Sequence, residues 1–161
     1  MYQVYLPSFM DSDGDGYGDF KGLASKLDHF VELGIETILI TPHYPSPNMR
    51  FAGYDIKDYF GVNQLLGSMQ DFDELIKEMN KRGLKLIIDI VMNHSGNKHP
   101  WFIKSVHRED PYTDYYIWQN AKGYDNRGNP IPPNNWKIFK FWSDKGVAGF
   151  RLDAVEYYCR R

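Results

Sequence analysis

Two aspartates and an arginine stand inside apolar runs where a charge is costly. Asp89 interrupts "LKLIIDIVMNH", and Arg151 and Asp153 interrupt "GVAGFRLDAVEYY". Side chains two apart on a strand share a face, so Arg151 and Asp153 point one way, as do Asp89, Val91 and Asn93. If the two runs are neighbouring parallel strands, Arg151 lies between the two carboxylates. A guanidinium in that place holds a buried carboxylate ionised. An ionised carboxylate at the C-terminal end of a barrel strand is what a covalent nucleophile requires. A structural buried ion pair fits the same spacing equally well.

A second group of acids lies in "DSDGDGYGD", Asp11 to Asp19. Carboxylates at alternate positions with glycines between them let the backbone curl until several oxygens converge on a hard cation. Asp11, Asp13, Asp15 and Asp19 are the candidate ligands, with the Tyr17 carbonyl closing the shell, and many flexible oxygens favour Ca2+ over Mg2+. A complete EF-hand would place Glu at the twelfth loop position, which is Gly22. The bland alternative is a solvated acidic turn.

Two further places could contact a polar ligand. His94 follows the third apolar run and is placed to donate a hydrogen bond to substrate. Tyr54 and Asp55, in "FAGYDIKDY", offer an aromatic ring beside a carboxylate, a pairing that suits a sugar and also suits an ordinary turn. His94 and His99 lack zinc-ligand spacing. Cys159 is the single cysteine, so no intrachain disulfide can form.

The elements that must position these residues read as alternating strands and helices. "YQVYLP", "ETILIT", "LKLIIDIV" and "VAGFRLDAV" are apolar and β-rich. Between the first two, Leu23, Leu27, Phe30 and Val31 recur at helical spacing, and Gly34 stops the helix. Between the next two, Ser68 is an N-cap with Asp71 three residues on. Phe72, Leu75, Ile76 and Met79 then make one stripe, and Gly83 ends it. "KIFKFWSDKG" is a short helix candidate before the fourth run. Alternating strand and helix with near-continuous apolar strands predicts an α/β fold with a parallel sheet. No GxGxxG turn is present, which disfavours a dinucleotide-binding sheet and leaves a (β/α)8 TIM barrel. Four strands make a partial barrel, because a complete one takes about 250 residues and the chain has 161.

Composition excludes little else. Hydrophobic residues at 42% and charged residues at 25% describe a soluble globular chain, and a net charge of -2 gives no footprint for nucleic acid or an anionic membrane surface. No apolar run reaches membrane-spanning length, and no signal peptide precedes "YQVYLPSF". Aromatics at 16% suit sugar faces, cores and interfaces alike.

Taken in order, "YQVYLPSFMDSDGDGYGDFKGLASKLDHF", "GYDI", "DIVMNH", "PPNNW" and "GFRLDAV" resemble the α-amylase superfamily of glycoside hydrolases (family 13). The branch resembled holds α-glucosidases, maltases and oligo-1,6-glucosidases, and also the heavy subunits of heteromeric amino-acid transporters. The resemblance implies an α-linked gluco-oligosaccharide substrate and retention of configuration through a covalent glycosyl-enzyme. It makes Asp153 the nucleophile and Arg151 its partner, with Asp89 and Asn93 supporting the site. Tyr54, Asp55 and His94 would bind the sugar, and the acidic loop would be a calcium site.

The resemblance also implies an organisation: residues 1–94 as three β/α units, 95–136 as a shortened excursion after the third strand, and 137–161 as a helix and fourth strand. A retaining site needs a second carboxyl about 5–5.5 Å from the nucleophile. In the family that Glu follows the fifth strand and a further Asp follows the seventh. Glu156 matches neither role, so the chain by itself is expected to be inactive. Relatives carry several dozen more residues where Trp136 here meets Lys137. Ala154, after the nucleophile, resembles enzymes that prefer α-1,4 links, which points to a maltase. Two alternatives stand beside this: a transporter heavy-subunit fragment that pairs with a light subunit, and a non-catalytic sugar-binding remnant.

Overall fold

A computed structural model describes residues 1–47, 53–91, 94–118 and 120–131. The chain forms two compact units, Met1–His99 and Pro100–Arg161.

The first unit is built from β1 (Tyr2–Val4), α1 (Phe20–Ser25), α2 (Leu27–Glu32), β2 (Thr37–Ile40), α3 (Met69–Lys81) and β3 (Lys85–Ile88). Its strands form one parallel sheet in the order β1-β2-β3. Val4 pairs with Ile40 and Ile40 with Ile88, so the three strands end level with one another. Two more bonds carry the ladder a step further, Thr41 N–H to the Val4 carbonyl and Asp89 N–H to the Ile40 carbonyl. The loops leaving that end therefore start side by side, which is what brings residues distant in sequence into one site.

The helices form for reasons visible in their ends. Ser68 and Asp71 make a full capping box at the start of α3. The Ser68 hydroxyl oxygen accepts from Asp71 N–H at 3.2 Å, and the Asp71 carboxylate accepts from Ser68 N–H at 2.8 Å. Such a cap is worth about 1 kcal/mol. At the other end Gly83 takes φ 71°, a conformation that disfavours any Cβ, and Leu84 N–H closes back on the Met79 carbonyl at 3.0 Å. Gly34 ends α2 in the same way, with Ile35 N–H on the Phe30 carbonyl. Each helix thus turns directly into the strand that follows it.

Between sheet and helices the core is apolar and tightly closed. Leu6, Phe20, Leu23, Leu27, Phe30, Ile38, Ile40, Leu66 and Leu75 are all buried in one cluster. Helix α3 is tied to α2 by Arg82, which donates to Asp28 at 2.6 Å and to Glu78 at 2.7 Å. Asp28 is 77% exposed, so the tie orients the helices more than it stabilises them.

Three sequence expectations are adjusted here. The predicted first helix is two helices, broken at Lys26 with φ -109° and ψ 7°. Within α2, Leu27 and Phe30 face the core while Val31, at the edge of that stripe, is exposed. The third strand is half-buried and not continuously so, with Ile87 exposed, because β3 is the end strand of the sheet among the described residues. The strand stops at Ile88, which places Asp89 one residue beyond it. The fourth apolar run and the helix predicted before it lie outside the described residues.

The second unit contains α4 (Pro100–Val106) and an antiparallel pair, β4 (Gly123–Tyr124) with β5 (Pro130–Ile131). Trp118 Nε1 donates to the Ser105 hydroxyl at 2.8 Å, and Phe102 packs on Tyr116 and Trp118. The aromatic segment is thereby folded back on α4. Asp125 shapes the hairpin turn by accepting from the N–H groups of Arg127 and Asn129. No helix among the described residues is long and apolar enough to cross a membrane.

Candidate functional site

Tyr54, Asp89 and His94 meet at the C-terminal end of the sheet. Tyr54 lies in the loop after β2 and donates its hydroxyl to Asp89 Oδ2 at 2.6 Å. His94, six residues past the end of β3, brings Nε2 to 3.2 Å from the Tyr54 carbonyl oxygen. That contact is a hydrogen bond when Nε2 carries the proton. The strands do the positioning, since 35 and 40 residues separate the partners in sequence. A phenol on a carboxylate beside an imidazole gives a short row of donors and acceptors able to engage the hydroxyls of a polyol.

Asp55 joins the group through a residue that sequence reasoning passed over. A Cβ at Gly96 would lie 2.3 Å from Asp55 Oδ1 and 2.9 Å from the Ile56 carbonyl oxygen. Only a glycine lets that backbone run so close. Gly96 N–H also donates to the Ile56 carbonyl at 2.7 Å, so the loops after β2 and β3 are stitched together at the carboxylate itself.

Beneath these residues sits a second apolar cluster of Tyr44, Ile56 and Val91, with Tyr59 packed against it. The Tyr59 hydroxyl lies 2.8 Å from the Val91 carbonyl oxygen and 2.7 Å from that of His94, and so holds the backbone from which His94 projects. Its ring meets Tyr44 at 5.9 Å and His99 at 5.4 Å. Burial first, and the nearby Asp89 carboxylate second, push the Tyr44 hydroxyl above its ordinary range. Burial lowers the His99 imidazole, against a smaller upward pull from Asp58. Nothing in the spacing of "HYPSP" or "DIKDYF" marks Tyr44 and Tyr59 as supports, because their role comes from packing across loops.

The acidic loop is a separate place with a different construction. Asp11, Asp13 and Asp15 each offer one carboxylate oxygen, and the three lie within 4.8 Å of one another. Calcium–oxygen distances of about 2.3–2.6 Å allow one ion to reach all three. The loop curls around its own first residue: Asp11 accepts from the N–H groups of Gly14 at 2.7 Å, Gly16 at 2.9 Å and Asp13 at 3.1 Å. Those bonds, the Gly16 one foremost, lower the Asp11 carboxyl below its ordinary range. Asp13 and Asp15 accept in the same manner from the N–H groups of Asp15 and Tyr17.

Of the five expected ligands the structure brings these three together and gives Asp19 another task. Asp19 is buried and caps α1, accepting from Gly22 N–H at 2.7 Å and from both the N–H and the hydroxyl of Ser12 at 2.8 Å. The three converging carboxylates, all hard oxygen donors, fit a calcium-sized cation. Gly22 also explains why no Glu stands at the twelfth position. A Cβ there would lie 1.9 Å from the Met10 carbonyl oxygen.

Asn93, Arg151 and Asp153 lie outside the described residues.

The comparisons with known proteins agree on one family. The family model described as alpha amylase, catalytic domain, matches residues 3–139. Maltase 1 of Drosophila virilis is 40% identical, over 97% of this chain and 31% of its own length. The amino acid transporter heavy chain SLC3A1 of Rattus norvegicus is 39% identical, over 98% of this chain and 29% of its own. Among solved structures, the isomaltulose synthase PalI of Klebsiella sp. LX3 superposes with a TM-score of 0.74 at 48% identity, covering 84% of this chain and 23% of that one. The chain therefore spans about a third of the curated relatives it matches. The match to Maltase 1 extends over 198 positions, more than the 161 residues present, so that relative carries residues without a counterpart here.

Proposed function

This chain belongs to the alpha-amylase catalytic-domain family, in the branch of α-glucosidases, maltases and oligo-1,6-glucosidases, and we propose that it supplies the sugar-binding end of a retaining, maltase-type α-glucosidase domain. The observation that carries the reading is the junction of Tyr54, Asp89 and His94 at the C-terminal ends of parallel strands, with Asp55 held beside them. That end of a β/α sheet is where barrel enzymes bind substrate.

In this reading the Tyr54 ring stacks on the face of a glucose unit, while Asp55 and His94 bond its hydroxyls. Asp89 and Asn93 hold the site, and Arg151 keeps Asp153 ionised. The Asp153 carboxylate attacks the anomeric carbon as the bond to the leaving oxygen breaks. A second carboxyl about 5–5.5 Å away then protonates that oxygen and afterwards activates water. Glu156, three residues from Asp153, does not match that second role, so in this reading the 161 residues bind glucosides without turning them over. Residues 1–94, 95–136 and 137–161 are the barrel start, the excursion and the fourth barrel unit. Asp11, Asp13 and Asp15 hold a structural Ca2+, with the Tyr17 carbonyl closing the shell. Ala154 favours α-1,4-linked substrates.

Two measurements test the proposal. Hydrolysis of maltose and p-nitrophenyl α-glucoside by the purified chain is expected at background. Turnover that Asp153→Asn abolishes would overturn the inactivity. Maltose titration followed by NMR is expected to move the Tyr54 and His94 resonances, with affinity about ten-fold weaker in Tyr54→Ala, which removes the stacking ring. No response at either residue sinks the sugar-binding reading.

The similarity to the transporter heavy chain supports a second reading, in which the same fold serves as an ancillary subunit that contacts a light subunit. It predicts no maltose response and stable capture by such a partner.

A further inference from the structure

His43 is the one histidine among the described residues that is sealed inside an aromatic stack. It is 4% exposed, and its Nδ1 has no hydrogen-bond partner among them. The ring lies between Phe72 at 5.0 Å, nearly parallel at 11°, and Tyr44 at 4.5 Å, with the edge of Phe20 at 6.3 Å. A neutral imidazole tolerates that place, whereas an imidazolium there loses most of its water and has a buried Nδ1 with no acceptor among the described residues.

Among the described residues no free carboxylate faces the ring. Helix α1 turns Phe20 toward it and α3 turns Phe72. The carboxylates beside those rings in sequence are engaged, Asp19 by Ser12 and Gly22, and Asp71 by Ser68 and Lys21. Tyr44 stays neutral throughout the acid range, and Asn63 N–H bonds only the His43 carbonyl. On its far side Tyr44 meets Tyr59, whose hydroxyl holds the His94 and Val91 carbonyls.

We propose that His43 makes the frame of this site acid-labile: a proton on its ring expels it from the stack, unseats Tyr44 and loosens the loops that carry Tyr54 and His94. The inference stands on packing and is independent of whether a glucoside binds. Burial drives the His43 imidazole down from 6.5 to about 4 in the folded chain. With the folded value depressed, the unfolded chain binds the extra proton first. Stability is lost as pH falls from the ordinary histidine value toward the folded one, and changes no further from this group below that.

The test compares urea unfolding of the chain and of His43→Phe at pH 7 and pH 5. Carboxylates common to both cancel. Between those pH values the unfolding constant of the chain is expected to rise roughly twenty-fold more than that of the variant. Equal pH sensitivity overturns the proposal. Should His43→Phe fail to fold, the imidazole resonances of His43 in the unsubstituted chain decide the matter. They are expected to stay at neutral-ring positions through pH 5, and a titration near the ordinary histidine value overturns the proposal as surely.

Discussion

The acidic loop and the Tyr54–Asp89–His94 junction are two candidate binding places made by opposite means. In the loop, Asp11 is bonded to residues two, three and five positions ahead. In the junction the bonded partners stand 35 and 40 residues apart. The loop's shape is a property of its own aspartates and glycines, while the junction exists only once three strands lie level in a sheet. A local site can therefore persist through changes that dissolve a distributed one.

The largest expected effect comes where the two meet a common foundation. Gly22→Ala drives a Cβ against the Met10 backbone, between the loop and α1. It is expected to cost about 3 kcal/mol in urea unfolding and to weaken both regions together. A loss confined to the loop would break the idea that α1 seats it on the fold. Gly96→Ala comes next, at about 1–2 kcal/mol, because the Asp55 side chain can swing aside but the Ile56 carbonyl cannot. NMR should show shifted amides around Asp55 and Tyr54 with those of Gly14 and Gly16 unmoved. Equal disturbance in the loop would refute its independence.

The smallest change in stability belongs to Asp13→Asn, on an exposed turn. Calorimetric titration with calcium should nevertheless show affinity falling at least ten-fold, with the Tyr54 and His94 signals unchanged. Acid sharpens the same contrast. The Asp11 carboxyl, lowered by its backbone donors, contributes stability that is present above the ordinary carboxylate value and lost as pH falls through its depressed one. The Gly14 and Gly16 amide signals should therefore hold through the ordinary carboxylate range and move only below it.

The same contrast sets how much was legible in the sequence. The capping box at Ser68, the terminating glycines Gly34 and Gly83 and the first two strand runs are local signals, each standing where its pattern placed it, while the third strand occupies only the first part of its run. The acidic loop was legible for the same reason. Val31 was misplaced because it sits at the edge of the stripe that Leu27 and Phe30 define, where spacing alone does not separate core from solvent. Tyr59, Gly96 and His43 carried no signal, since each acts on a residue of another loop or element. Asp89 was flagged by its charge in an apolar run, yet its phenolic partner emerged only from the sheet register.

That register has one more consequence, for how the molecule is made. Position across the sheet repeats position along the chain, so each newly synthesised strand finds its neighbour already laid down. Each later strand of the first unit can thus be added at an open edge, and none has to be inserted between two already paired.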